Sequence, residues 1–351
     1  MRRTPVLIIA TGLATAGLSA CGSGDKEGAE AVEEAVHYSG DDRTSFLTDC
    51  AKDEGVLELY TAQNPVQVDA LSAAFTAKYP FLKVNATRRT TPATAEAVTK
   101  EAQARVNKVD VVSIKIEVVE TMLDIFTDFD SPELDAYGDD AIGTDGKYVS
   151  VGQVPYGVIY NTDFVSAADA PQTSEDLLDP KWKGRIALST TGPGTQWVGW
   201  MKSLYGEEWI ERFGEQDIHT TEANTNAISG QVASGEAWIA PAINLSGFTG
   251  LKDAPLEWVP IDPTMAEDTV AIAKAAPHPC AAMLYVDFSL SKEGQMLSTE
   301  YISPRDDVEA TGVLAGLEPA GIWEILGEQD SDAYSEAIKE WGELIDRYLI
   351  N

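Results

Sequence analysis

The stretch "STTGPGT", residues 189–195, is where this sequence comes nearest to a ligand site. It joins an apolar run that reads as a strand, 185–190, to a segment with helical spacing. The first N–H groups of a helix lack partners inside it, and the helix dipole favours an anion at that end. Thr191, Gly192, Gly194 and Thr195 are therefore candidate ligand contacts, with a tight connection as the plainer use of the same glycines. Other donors fall at the carboxyl ends of apolar runs, where ligands lie in open α/β sheets. They are Thr61, Gln63 and Asn64 after the first run, Arg88 with Arg89 after the second and Lys115 after the third. Tyr156, Asn226 and Asn244 complete the set. A carboxylate, phosphate or phosphonate suits bidentate pairing with arginine, although a strand end in solvent accounts for Arg88 equally simply. These residue types bind. No G-x-S-x-G elbow, H-E-x-x-H pair or Walker phosphate loop occurs, and the three histidines, His37, His219 and His278, are scattered. The reading carries no catalytic residue, no metal ligand and no cofactor.

The elements that must position these donors alternate along the chain. "VLELYTA" (56–62) is an apolar run typical of a strand buried on both faces. Val68, Leu71, Phe75 and Tyr79 mark one face of a helix that Pro80 ends. A strand at 81–88, a helix and a buried strand at 109–114 follow, and "EVVETMLDIF" reads as a further helix. Strand–helix alternation of this kind builds a mostly parallel sheet. An Asp-, Gly- and Pro-rich stretch, 127–147, reads as a boundary. Beyond it, "YVSVGQVPYGVIYN" reads as two short strands split at Pro155, and Thr173 with Asp176 as a helix-capping pair. "AWIAPAIN", "LEWVPI" and "TVAIAK" read as separate strands, and the end of the chain is helical. Trp197 and Trp200, three apart on one helix, suit core packing better than a ligand stack. The fold class is α/β, in two units with a cleft between them.

Composition narrows the partners. The formal charge of −32 excludes nucleic acid, whose phosphates need Lys and Arg, and excludes docking on anionic lipid through a basic patch. "MRRTPVLIIATGLATAGLSA" has a basic start, an apolar core and a small-residue end, the layout of an export signal. Its apolar run is shorter than the ~20 residues of a spanning helix. Residues 22 to 44, rich in Gly, Ser, Ala and Glu, read as a flexible tether. Cys50 and Cys280 remain after the leader, and in an exported chain they form either one disulfide or two buried thiols.

Two resemblances add to this. "Leu18-Ser19-Ala20-Cys21" resembles a bacterial lipobox, which implies cleavage before Cys21, acylation of its thiol and attachment to the outer face of the cell membrane. The blocks at 55–80, 160–188 ("YNTDFVSAADAPQTSEDLLDPKWKGRIAL") and 286–308 ("VDFSLSKEGQMLSTEYISPRDDV") resemble the extracellular solute-binding proteins of ABC importers, in the branch that contains ferric-iron-binding proteins. That resemblance implies a two-lobed, periplasmic-binding-protein-like clamp with crossing hinge strands. It also implies a monomeric receptor for a small molecule, served by an ABC permease with a cytoplasmic ATPase. The expected layout is a signal at 1–20, lipidated Cys and tether at 21–44, one lobe from 45–137 and 268–320, and the other from 138–267 and 321–351. Members that hold iron place adjacent tyrosines where Leu245, Ser246 and Gly247 stand here. A small anion or anion-bearing organic solute is thus the expected ligand, with ferric iron as the alternative cargo. A ligand-sensing signalling receptor and an exported hydrolase are the readings from other classes.

Overall fold

The computed structural model describes residues 24–350 apart from 250, 252, 299 and 328–330; the expected leader and Cys21 lie outside the described residues. The chain begins with α1 (Gly24–Val36) and α2 (Arg43–Glu54), then alternates β1 (Val56–Thr61), α3 (Pro65–Lys78), β2 (Lys83–Arg88), α4 (Thr91–Ala104) and β3 (Val111–Ser113). Short α5 (Ile116–Val119) and β4 (Phe126–Thr127) lead to the long strand β5 (Val149–Asn161). Next come β6 (Ala187–Ser189), α6 (Pro193–Tyr205), α7 (Glu207–Gly214), β7 (His219–Thr221), α8 (Thr225–Ser234), β8 (Ile239–Asn244) and α9 (Leu245–Thr249). The chain then returns through β9 (Leu256–Ala273) to α10 (Pro279–Leu290), α11 (Lys292–Gln295), α12 (Ile322–Leu326) and α13 (Ser331–Tyr348). None of the described helices is long and apolar enough to cross a membrane.

One sheet runs through the molecule in the order β2-β1-β3-β9-β5-β8, with β4 also on β9. β2, β1 and β3 are parallel, as expected for strands joined by helices. β9 and β5 are antiparallel to their neighbours and to each other, from Val149↔Val270 to Asn161↔Leu256. The parallel pair β6–β7 extends the far side, where Ile186 meets Ile239 of β8. Apolar side chains gather in a first core around β1, β3, α3 and α10, and in others around α6, α7, β8 and α8. The α/β, two-lobed architecture follows from this arrangement.

Local signals explain several elements. Asn64 accepts the Gln67 N–H and Pro65 opens α3, which buries Val68, Leu71 and Phe75. Thr173 and Asp176 make the reciprocal capping box, on a single 3-10 turn.

Four expectations are corrected. Residues 24–36 are a helix and not a tether, because Val32, Ala35 and Val36 form a small apolar stripe that is buried against α10. Pro155 does not split β5: it pairs with Met265 on one edge, and β8 joins the other edge only from Tyr156 onward. Its missing N–H therefore costs no ladder bond. "LEWVPI" and "TVAIAK" are one strand, β9, bent at Asp262 with φ of 38° and held there by Ser174 and Tyr205, whose hydroxyls donate to its carboxylate. "EVVETMLDIF" divides after Val119 into α5 and a 3-10 segment, Glu120–Ile125, which is itself kinked at Met122, whose backbone is not helical.

Cys50 and Cys280 are joined, tying α2 to α10 across 230 residues of chain. Next to them the Glu54 carboxylate accepts the Cys280 and Ala281 N–H groups at 3.1 and 2.7 Å and so caps α10. Arg43 on α2 and Ser131 both bond Asp287 of α10. At the other end of the chain, α13 lies on α6, where Gly199 faces the Trp341 ring.

Two stability predictions follow from these contacts. Reduction, or a Cys50→Ala/Cys280→Ala variant, is expected to remove about 3–5 kcal/mol and lower the melting midpoint by several degrees. An unchanged midpoint would show that the crosslink contributes nothing. A Cβ on Gly199 would lie 2.2 Å from the Trp341 ring. Gly199→Ala should cost about 1–3 kcal/mol and expose the C-terminal helix to limited proteolysis.

Candidate functional site

Polar side chains converge where β3, β5, β8 and β9 come together. β3 ends at Ser113, and Lys115 follows two residues on, bridged backbone to backbone with Asp268 of β9. Its ammonium lies 2.8 Å from Asp268 Oδ1; the lysine side chain keeps 21% exposure and the aspartate 1%. Among the described residues, the Lys115 ammonium is the one partner of the buried Asp268 carboxylate, at a charge-assisted hydrogen-bond distance. Burial pushes the Lys115 pKa down, but Asp268, Tyr156 and Glu117 outweigh it and the net direction is up, so Lys115 is a cation. Ser113 Oγ nearby is buried and without a partner among the described residues.

The surrounding groups are satisfied. Glu117, on α5, accepts the Gln196 Nε2–H at 2.9 Å; that bond joins the first core's side of the molecule to α6. Burial raises the Glu117 pKa. Gln196 also approaches the Tyr334 hydroxyl of α13 at 3.4 Å. Glu267 accepts the Ser150 hydroxyl at 3.0 Å, and burial pushes its pKa up to about 7. Tyr156 on β5 pairs in register with Asn244 on β8 and bonds its side chain. Tyr301 is buried, lies near the charge of Asp268 and takes the Asn64 backbone N–H. Burial raises both phenols above their ordinary range, so they act as neutral hydroxyls.

Of the sequence-derived candidates, Lys115, Tyr156, Asn244 and Asn64 meet around this centre. Asn64 is largely used by the fold: its side chain caps α3 and its Nδ2 donates to Glu300 at 3.0 Å. Asn244 Oδ1 similarly receives Gly247 N–H and Ser246 O–H. Thr61 is buried and its hydroxyl holds the Gln63 N–H, which shapes the turn after β1. Arg88 is exposed, and its Nε donates to Gln63 O at 2.7 Å, so it folds back on that turn. Arg89 turns the other way and stacks on Tyr60, 4.8 Å from the ring centre. Asn226 is exposed on the first turn of α8, and the residue capping that helix is Asn224. Thr191 and Gly192 are exposed, while Gly194 and Thr195 are buried in the first turn of α6. Both glycines there are demanded by the backbone. Gly192 has φ of 49°, and a Cβ on Gly194 would lie 1.9 Å from Ser189 O. Trp197 packs on Trp209 and Phe213 in the core, as its spacing suggested.

Asp268, Glu117, Glu267, Gln196, Tyr301 and Tyr334 were not among the candidates. The available signal was the pair Glu267-Asp268 inside an otherwise apolar strand. A cavity of about 620 Å³ lies elsewhere, at the amino end of β3, lined by Val98, Arg105, Val109, Ile125 and Pro277 among others. None of the candidate residues lines it. Cys50 and Cys280 lie with Glu54 in a metal-like grouping, but their sulfurs are bonded to each other.

The sequence profile of the bacterial extracellular solute-binding proteins matches residues 121–320. Among solved structures, this chain resembles iron-bound HitA from Pseudomonas aeruginosa (20% identity, 82% of this chain and 99% of that one, TM-score 0.66). It also resembles AfuA from Actinobacillus pleuropneumoniae with fructose-6-phosphate bound (21%, 85% and 100%, TM-score 0.67). A third is the substrate-binding protein of an ABC transporter from Agrobacterium tumefaciens (16%, 83% and 94%, TM-score 0.70). At these identities the likeness is one of fold. No curated protein gives a significant match.

The raised pKa of Glu267 predicts a pH effect. An exposed glutamate in the unfolded chain titrates near 4.3, whereas folded Glu267 keeps its proton up to about 7. The stability this contributes is full below the unfolded value and is lost as pH rises through the folded one. Unfolding free energy should therefore fall from about pH 5 to about pH 7.5. Asp110, pushed up by burial to about 6, contributes in the same direction. Glu267→Gln should flatten the fall without abolishing it; an unaltered slope in chemical-denaturation curves would contradict the assignment.

Proposed function

The chain belongs to the family of bacterial extracellular solute-binding proteins, and on that premise we propose that it is a monomeric receptor, exported and held by a lipid on Cys21. It binds a small anion-bearing organic solute where β5 and β9 cross and delivers it to an ABC permease driven by a cytoplasmic ATPase. The lobes expected from the sequence, 45–137 with 268–320 and 138–267 with 321–351, are the two jaws in this reading. The first lobe gains residues 24–44 through the packing of α1. The ligand is carried and released unchanged. The receptor needs no cofactor.

The observation that carries the reading is the buried convergence of Lys115, Tyr156 and Asp268 from three elements, with a single buried ion pair at its middle. Such a pair is costly to bury and adds little to folding, which suits a place kept for a ligand. Ferric iron is the rival cargo, favoured by the fold shared with iron-bound HitA. Three features weigh against it. The Lys115 ammonium stands beside the Asp268 carboxylate and would repel a trivalent cation. Tyr156 and Tyr301 have pKa values raised by burial and resist becoming phenolates. The Leu245-Ser246-Gly247 segment supplies no phenol.

The test is thermal unfolding of the full chain with ferric citrate, phosphate, phosphonates, small carboxylates, thiamine and spermidine. A ligand at 100 times its Kd adds about 2.7 kcal/mol, enough for a shift of a few degrees. A shift with an organic anion supports the receptor reading. A shift with ferric citrate and nothing else makes iron the cargo, and Tyr156 and Tyr301 become the first positions to substitute.

A further inference from the structure

We propose that the ligand is a zwitterion: a small organic solute whose anionic group takes Lys115 and whose ammonium group takes Asp268. This rests on the receptor reading above and narrows its ligand class.

The argument is a balance of charge and hydrogen bonds. Four ionisable side chains other than phenols meet at the centre: Lys115, Asp268, Glu117 and Glu267. Glu117 is committed to Gln196 and Glu267 to Ser150. Asp268 is met by no uncharged donor among the described residues, and its one ionic partner is Lys115, at 2.8 Å. A ligand bearing only an anion would draw Lys115 from Asp268 and leave a carboxylate buried and unpaired. One bearing only an amine would leave the lysine unpaired instead. Either outcome costs the full desolvation of the stranded group. A zwitterion exchanges one pair for two, one at each end, and leaves the net buried charge unchanged. The same arithmetic sets selectivity, since a single-charge analogue is rejected by the partner it strands. Tyr156 and Tyr301, neutral and close to Asp268, offer hydroxyls to the ligand without altering that balance.

The test is calorimetric titration of the full chain with matched trios. β-Alanine is compared with propionate and propylamine, phosphoethanolamine with ethyl phosphate and ethylamine, and taurine with ethanesulfonate and ethylamine. At least one zwitterion is expected to bind 100-fold or more tightly than both of its single-charge analogues. Asp268→Asn should bring that zwitterion down to the level of its anion analogue. Lys115→Gln should bring it down to the level of its amine analogue. Circular dichroism and melting curves check that each variant folds, and the two variants substitute for each other if one does not. Equal binding of a zwitterion and its anion analogue overturns the inference, as does a preference that survives both substitutions or the failure of every zwitterion to bind. If a plain anion or ferric citrate binds while no zwitterion does, the inference falls and the receptor reading stands. If nothing in either panel binds, both fall.

Discussion

The antiparallel pairing of β5 with β9 is the constraint on which the rest of the structure depends. Both strands run from the first core into the second, and they stay paired from Val149↔Val270 to Asn161↔Leu256. Everything else is attached to one side of this ribbon or the other. The parallel strands β1 to β3 add to β9 at one end, and β8 adds to β5 at the other. Side chains at the middle of the ribbon therefore lie between the two cores. Tyr156 and Asp268 occupy that place, and Lys115 reaches it from the end of β3. The position of the site is a consequence of topology before it is a consequence of chemistry.

The electrostatics of that place differ from those of the whole chain. A formal charge of −32 is spread mostly over exposed carboxylates, where water and salt screen it. At the centre the number of groups is small and each is accounted for. Two carboxylates have raised pKa values because burial penalises their charged forms, and each is met by an uncharged donor. The third, Asp268, is met only by an ammonium. Net acidity therefore says little about the ligand, whereas the pairing of Asp268 says a great deal, because screening cannot rescue a charge that is 1% exposed.

Much of the fold was legible because its signals are local. The helical face Val68, Leu71, Phe75 and the Asn64 cap are set by residues three and four apart. The Thr173–Asp176 box is likewise complete within four residues. What was not legible depends on partners distant in sequence. Pro155 looks like a strand end until β8 is seen to join only from Tyr156. β9 looks like two strands because Asp262 interrupts its apolar pattern, and the groups that hold the bend, Ser174 and Tyr205, are far away in the chain. Residues 24–36 look like a linker because their apolar stripe is only Val32, Ala35 and Val36. For the site, Lys115 and Asn244 lie at strand ends and Tyr156 near the expected hinge, and all three were among the candidates. Asp268 was missed because it lies inside a strand, where a carboxylate is unexpected and a local reading simply ends the strand. Arg88 was chosen by its place at a strand end and Asn226 by residue type, and neither place nor type says which way a side chain turns.

The two ends of the described chain bear on how such a centre can open. On one side, α1, α2 and α10 are fastened together by the Cys50–Cys280 bond, by Glu54 at the start of α10 and by Arg43 on Asp287. That body is stiff, and a segment attached ahead of Gly24 would hold it by its outer helix. On the other side, α13 is laid along α6 with Trp341 against Gly199, and it joins the two cores: Trp341 belongs to the first, and Leu344, Ile345 and Leu349 belong to the second. The Gln196–Glu117 bond joins α6 directly to the end of the β3 segment. Glu117, whose pKa burial raises, therefore sits at the junction of the two bodies, and its carboxylate is held there by a donor from the opposite side.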